Sequence, residues 1–115
     1  EYAGGNDYIG KIVSDAGIKA ELDVFWATVA GKNAAEEMRR LRGALAFVHI
    51  KEAAAANPAQ SPQPIVGEGA VGMESVFAEA EAQGIPWAIL EVEQYPCGEA
   101  EYLQKSLKNM KKLAK

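Results

Sequence analysis

Three apolar stretches of this 115-residue chain end in side chains that can hold a cation or move a proton. The first, "AELDVFWATVAG", carries Glu21 and Asp23 inside a β-prone run; the second, "ALAFVHIK", ends in His49 and Lys51; the third, "IPWAILEVE", ends in Glu91 and Glu93. A buried strand has no cheap place for an unpaired carboxylate, so Glu21 and Asp23 call for a compensating partner. Side chains alternate along a strand, which puts Glu21, Asp23 and Phe25 on one face, Phe47, His49 and Lys51 on another, and Ile89, Glu91 and Glu93 on a third. If the three faces meet, Asp23, His49 and Glu91 converge. Two carboxylates and an imidazole suit a divalent ion such as Mn, Zn, Co or Mg, with water or substrate oxygens completing the shell. The same residues also admit a plainer arrangement, in which Asp23 caps the following turn, His49 is a satisfied core histidine, and Glu91 and Glu93 pair with Lys51.

The elements that must position these residues follow from periodicity. Apolar Ile9, Ile12, Val13 and Ala16 recur at helical spacing over 8–16, with Asn6 or Asp7 available as N-cap and Gly17 as a stop. Residues 18–27 read as a strand. "AAEEMRRLRG" reads as a helix, acidic at its start, basic at its end and closed by Gly43. A second strand covers 44–51, and a long segment rich in Ala, Pro, Gln and Ser follows it, of a length often found in functional loops. A helix over 73–83 with Val76, Phe77 and Ala80 on one face ends at Gly84, before a third strand over 85–93. The last helix starts near Glu99, with Leu103, Leu107, Met110 and Ala114 as its expected apolar stripe and lysines at its end. Strands that alternate with helices predict a parallel sheet, open or closed into a barrel, with its site at the C-terminal strand ends.

Composition narrows the partners. The chain is 49% hydrophobic and 24% charged, ordinary for one soluble domain. A formal net charge of -4 argues against nucleic acid or an anionic membrane, both of which demand a basic patch. The one cysteine, Cys97, follows Pro96 without a neighbouring histidine and excludes both an intrachain disulfide and a thiolate cluster. No apolar run approaches the roughly 20 residues of a membrane helix, and cytoplasm is the default compartment, with the periplasm open for a longer parent. The opening "EYAGGNDY" has the character of a mid-chain loop, which suggests such a parent.

The ordered set "ELDVFWATVAGKNAAEEMRRLRG", "FVHIKE", "PIVGEGAVGMESVFAEAEAQGIPWAILEVEQ" and "SLKNMKKL" resembles the sugar phosphate isomerase/epimerase family of xylose isomerase-like TIM barrels. That family runs through Glu-Leu-Asp with an aromatic and Trp, then Val-His-Leu-Lys-Asp, Gly-Glu-Gly before a helix, and a Val-Glu-Gln-Asp strand end. The resemblance covers nearly the whole chain after Tyr8. It implies that Asp23, His49 and Glu91 are metal ligands at the ends of the sixth, seventh and eighth strands, with a further carboxylate from an earlier strand. A complete (β/α)8 barrel takes about 250 residues, so three (βα) units are expected to form a single partial domain, the C-terminal part of such a barrel. Glu52 and Glu93 stand where the family commonly has Asp, and Ala44 where an Arg often follows the glycine.

The family's chemistry is proton transfer next to a sugar carbonyl, assisted by a divalent metal. Glu91 is then both ligand and acid/base, Lys51 and Glu93 are expected to contact a sugar or sugar phosphate, and Trp26 to stack on it, although a large aromatic in a strand, such as Trp26 or Trp87, is usually core. Open sheet edges predict association with the missing N-terminal part of the barrel or with a second copy, and little or no isomerase activity for the piece alone. Two other readings compete: a non-catalytic partial barrel that serves as a scaffold or binding module, and an open sheet whose strand order would keep Asp23 and Glu91 apart.

Overall fold

The computed structural model describes Tyr2, Ala3 and residues 6–114, with Tyr2, Ala3, Asn6 and Asp7 as backbone only. A short antiparallel pair, β1 (Tyr2–Ala3) and β2 (Asn6–Asp7), leads into α1 (Tyr8–Ala16). The N-cap expected at Asn6 or Asp7 lies outside the described side chains. Then come β3 (Ala20–Asp23), α2 (Val24–Val29), α3 (Ala34–Arg40), β4 (Leu45–Ile50), α4 (Met73–Gln83), β5 (Ala88–Leu90) and α5 (Glu99–Leu113). The three long-range strands form a parallel sheet in chain order, β3-β4-β5. This order puts Asp23 directly opposite His49, and His49 opposite Ile89.

Two strands are shorter than their hydrophobic runs suggest. The run 18–27 is a strand only to Asp23, whose carboxylate takes the backbone N–H groups of Phe25 and Trp26 and starts a helix. Phe25 therefore does not continue the strand face of Glu21 and Asp23 but is buried in α2. The cap and the packing of Val24, Phe25 and Ala27 override the β-propensity of the segment. At the third strand, regular pairing ends at Leu90, although the Glu91 N–H still donates to the Ile50 carbonyl at 3.0 Å, so Glu91 stays in register while Glu93 lies in the following loop.

One face of the sheet is closed by helices. Leu22, Val48 and Ile50 point into a continuous core with Met38 of α3, Val76 and Phe77 of α4 and Met110 of α5. The molecule measures 19 Å along its shortest axis, which accommodates one sheet and one helix layer. Helices α3 and α4 are also clamped at their surface: Glu79 accepts from Arg39 Nε at 3.0 Å, Arg42 Nη2 at 2.6 Å and Gln83 Nε2 at 2.8 Å. The hydrogen bond from Gln83 holds the Glu79 carboxyl below its ordinary range, and the two guanidinium groups add to this against the opposing effect of burial.

The terminal helix is turned part of the way off its expected stripe, which holds at Met110 and at half-buried Leu103 but not at Leu107 or Ala114. Tyr102, Ser106 and Met110 are buried, whereas Leu107 is 46% exposed and Ala114 is exposed. Polar contacts fix this rotation: Ser106 Oγ accepts from Val66 N at 3.4 Å and Asn109 Nδ2 donates to the Val66 carbonyl at 2.8 Å. The helix is thus set against the loop before α4.

Candidate metal centre

The uncovered face of the sheet carries the chemistry. Along β3, Ala20 and Leu22 are buried while Glu21 and Asp23 point the other way, as the alternation of a strand requires. Asp23 divides its two oxygens between tasks: Oδ1 caps α2, at 2.8 Å from Phe25 N and 3.2 Å from Trp26 N, while Oδ2 stands 4.0 Å from Nδ1 of His49. The turn-capping role and the site role are therefore compatible. Burial pushes the Asp23 carboxyl above its ordinary range, and the charge of Glu91 adds to this against the two backbone hydrogen bonds.

His49 lies between carboxylates. Its Nδ1 is 2.8 Å from Glu91 Oε2, and its Nε2 is 2.5 Å from Glu21 Oε1. One donor atom from each of Asp23, His49 and Glu91 falls within 4.8 Å of the others, and all three residues are partly buried. Atoms sharing a shell of about 2.1 Å radius are separated by roughly 3–4 Å, so this triad lies near such a shell and closes on an ion by small side-chain adjustments. The donor set fits a divalent ion on chemical grounds too: two carboxylates and one imidazole suit Mn, Zn, Co or Mg, and a cation between Asp23 and Glu91 would relieve their mutual repulsion.

The residues expected to meet substrate surround this cluster. Lys51 is fully buried beneath the aromatic rings, its ammonium 4.5 Å from the Phe25 centroid and 5.5 Å from that of Trp26. It reaches Glu93 Oε1 at 2.8 Å and Glu91 Oε1 at 3.3 Å. Burial alone would lower the pKa of Lys51, but the hydrogen bonds and charges of Glu93 and Glu91 outweigh it and hold the group above its ordinary value, firmly cationic. Trp26 is 53% exposed and borders, with Glu21 and Asp23, a cleft of about 500 Å³. Trp87 is 68% exposed, so neither tryptophan is core.

Three residues have structural work at the site whose partners the sequence did not specify. Glu21 holds the far nitrogen of His49, a contact visible only once β3 and β4 are in register. Gln63, in the long segment after β4, is buried and takes the N–H groups of Glu93 and Gln94 on Oε1 at 3.3 and 3.0 Å, which ties down the loop beyond Glu91. Glu52 is buried and accepts from Ala53 N and Val71 N on Oε1 and from Gly67 N on Oε2, at 2.9–3.0 Å. The "GEG" turn is shaped around that carboxylate: a Cβ built at Gly69 would lie 2.5 and 2.6 Å from Cγ and Oε1 of Glu52 and collide with the Ala53 carbonyl.

Solved structures share this arrangement of strands and helices. A sugar phosphate isomerase/epimerase from Parabacteroides distasonis superposes with a TM-score of 0.68 at 23% identity, over 96% of this chain and 39% of its own. A second sugar phosphate isomerase/epimerase from the same organism gives 0.69 at 22% identity, over 91% and 35%. A xylose isomerase domain protein from Alicyclobacillus acidocaldarius gives 0.69 at 16% identity, over 92% and 41%. The fold is part of a TIM barrel. The chain spans about two fifths of the length of these proteins, which are of the kind that its motifs resemble. A scan against protein-family models finds no match, and a search of the curated proteins finds none.

Proposed function

We propose that this chain is the C-terminal portion of a metal-dependent sugar isomerase or epimerase barrel, and that Asp23, His49 and Glu91 supply three ligands of its divalent ion. The observation that carries this reading is the convergence of those three side chains from three successive strand ends of a partial barrel, the end at which such barrels build their sites. The solved proteins of like fold are sugar phosphate isomerase/epimerase and xylose isomerase domain proteins, which supports a sugar or sugar phosphate as the substrate class. The fourth ligand and a second carboxylate for the opposite face of the sugar belong to the units that precede this one in the parent.

A divalent ion held there would polarise the sugar carbonyl and offset the charge that develops on its oxygen. The chain's own residues do the rest. Glu91 moves a proton at the carbon beside the carbonyl through its carboxylate, which Lys51 holds in place from 3.3 Å. Glu93, at the rim, accepts from a substrate hydroxyl, and Gln63 holds its backbone in place. Trp26 offers its exposed face to the C–H side of the ring. Lys51 reaches substrate through the two carboxylates it anchors.

The open edges of β3 and β5, with exposed Ile18, Trp87 and Ile89 beside them, fit the preceding (βα) units of the parent barrel. A scaffold reading is favoured by one observation, that each member of the cluster already has a partner within the chain. Native mass spectrometry separates the two. A retained divalent ion that disappears in His49→Ala and Glu91→Ala, with isomerase activity appearing once the preceding units are added, supports the metal site. A metal-free homo-oligomer that is indifferent to both substitutions overturns it in favour of the scaffold.

A further inference from the structure

We propose that Glu21 is a positioning residue for His49: it fixes the imidazole ring with the proton on Nε2, which leaves the Nδ1 lone pair aimed at the space between Asp23 and Glu91. The inference rests on the metal-site reading above and adds a residue to it. Glu21 lies opposite Phe47 in the β3-β4 register, two positions before Asp23 on the same side of the strand, so its side chain reaches diagonally to the ring on the neighbouring strand. The Glu21 Oε1 to Nε2 distance of 2.5 Å is shorter than the 2.8 Å between Nδ1 and Glu91 Oε2.

The two carboxylates that flank the ring are not equivalent acceptors. Glu91 shares its charge with Lys51, whose ammonium lies 3.3 Å from its other oxygen. Among the described residues Glu21 makes no ion pair other than that with His49, so its charge is concentrated on Nε2. A neutral imidazole has one proton to place, and it goes to the nitrogen that faces the stronger acceptor. A carboxylate on the distal nitrogen of a ligating histidine fixes tautomer and ring plane together, and its loss typically costs 10–100-fold in metal affinity. Glu21 does not belong to the ion's own shell, since its contact is with the nitrogen turned away from Asp23 and Glu91.

His49 is the only histidine of the chain, so its ring nitrogens can be read without assignment ambiguity. The test is long-range ¹H–¹⁵N correlation NMR on the ¹⁵N-labelled 115-residue chain, followed into the pH range where the ring is neutral, together with Co²⁺ titration by visible absorption. The wild type is expected to show the Nε2–H form. Glu21→Ala, a change on the uncovered face of the sheet, is expected to give mixed tautomers and a Co²⁺ affinity lower by about 10–100-fold. Glu21→Gln keeps an acceptor oxygen and is expected to restore the Nε2–H form and most of the affinity.

An unchanged tautomer in Glu21→Ala overturns the inference, whatever happens to the metal. So does a Glu21→Gln variant as weak in Co²⁺ as Glu21→Ala, since that pattern belongs to lost charge alone. A wild type that shows the Glu21-dependent tautomer yet takes up no Co²⁺ upholds the positioning of His49 and sinks the metal-site reading.

Discussion

Replacing Glu52 by glutamine exchanges one interior oxygen for an NH₂ group and tests how the loop before α4 is held. In the wild type the carboxylate accepts three backbone N–H groups and is wholly buried. A glutamine can keep its carbonyl oxygen on Ala53 and Val71, but its NH₂ then faces the N–H of Gly67, donor against donor. One stranded buried donor costs about 1–3 kcal/mol. Glu52→Ala strands all three and removes packed methylenes, so its cost is expected to reach about 3–5 kcal/mol, the range for breaking a buried charged network. Against a total stability of about 5–15 kcal/mol the alanine variant is close to unfolding, and the glutamine variant should melt roughly 4–8 °C lower per kcal/mol lost. Urea titration followed by far-UV circular dichroism measures both. Gly69→Ala is expected to be at least as damaging as Glu52→Gln, and trimming Glu52 should not rescue it, because the new Cβ also meets the Ala53 carbonyl, which is already bonded to Ala70 N at 2.8 Å. Glu52→Gln within about 0.5 kcal/mol of wild type, the scatter expected of an ordinary surface change, would refute the claim that this carboxylate organises the loop.

Other outcomes follow from how individual groups are shared. Asp23→Asn keeps an oxygen for the α2 cap but loses the anionic ligand, so it should bind Co²⁺ far more weakly while unfolding in urea at a midpoint no lower than that of wild type; Asp23→Ala gives up the cap as well, worth about 1 kcal/mol. Because burial and Glu91 raise the Asp23 pKa in the folded state, the native protein binds this proton more tightly than the unfolded chain does. Asp23 therefore detracts from stability above its folded pKa, and the Asp23→Asn minus wild-type difference in urea midpoint should shrink as pH is lowered towards the ordinary aspartate range. Glu79 has the opposite sign: its folded pKa is depressed, so its contribution is present above the ordinary glutamate value, about 4.3, and is lost as pH falls below it. Glu79→Gln should be less stable than wild type at pH 7, with the gap closing in acid; a pH-independent gap would show that the Arg39, Arg42 and Gln83 contacts do not act through charge.

The alternation of strands and helices was legible because each helix carries its own punctuation. Gly84 adopts a left-handed conformation at the end of α4, as a helix stop does, and α4 runs over the same residues, 73–83, that periodicity marks. The meeting of Asp23, His49 and Glu91 was legible for a related reason: in a parallel sheet, polar residues at successive strand ends share a face if the strands are neighbours, and β3, β4 and β5 are neighbours in chain order. The length of the first strand was not legible. Its aromatic and β-branched residues suit a strand or a buried helix alike, and the choice fell to the Asp23 cap. The apolar stripe of α5 misled in the same way, since Ser106 and Asn109 bind Val66 and turn the helix away from Leu107.

By itself, then, the sequence determined what local chemistry can determine: where helices start and stop, which face of each strand is polar, and which residue types stand at the strand ends. Tertiary structure alone decided the partnerships across those elements. Glu21 belongs to His49, Lys51 to Glu91 and Glu93, Gln63 to the loop beyond β5, and Glu52 to a turn fifteen residues further on. Each of these depends on register and on the path of a loop, and those are set by the packing of the whole core against the sheet. A carboxylate in a sequence shows only that a charge must be answered; which group answers it is known once the chain has closed around it.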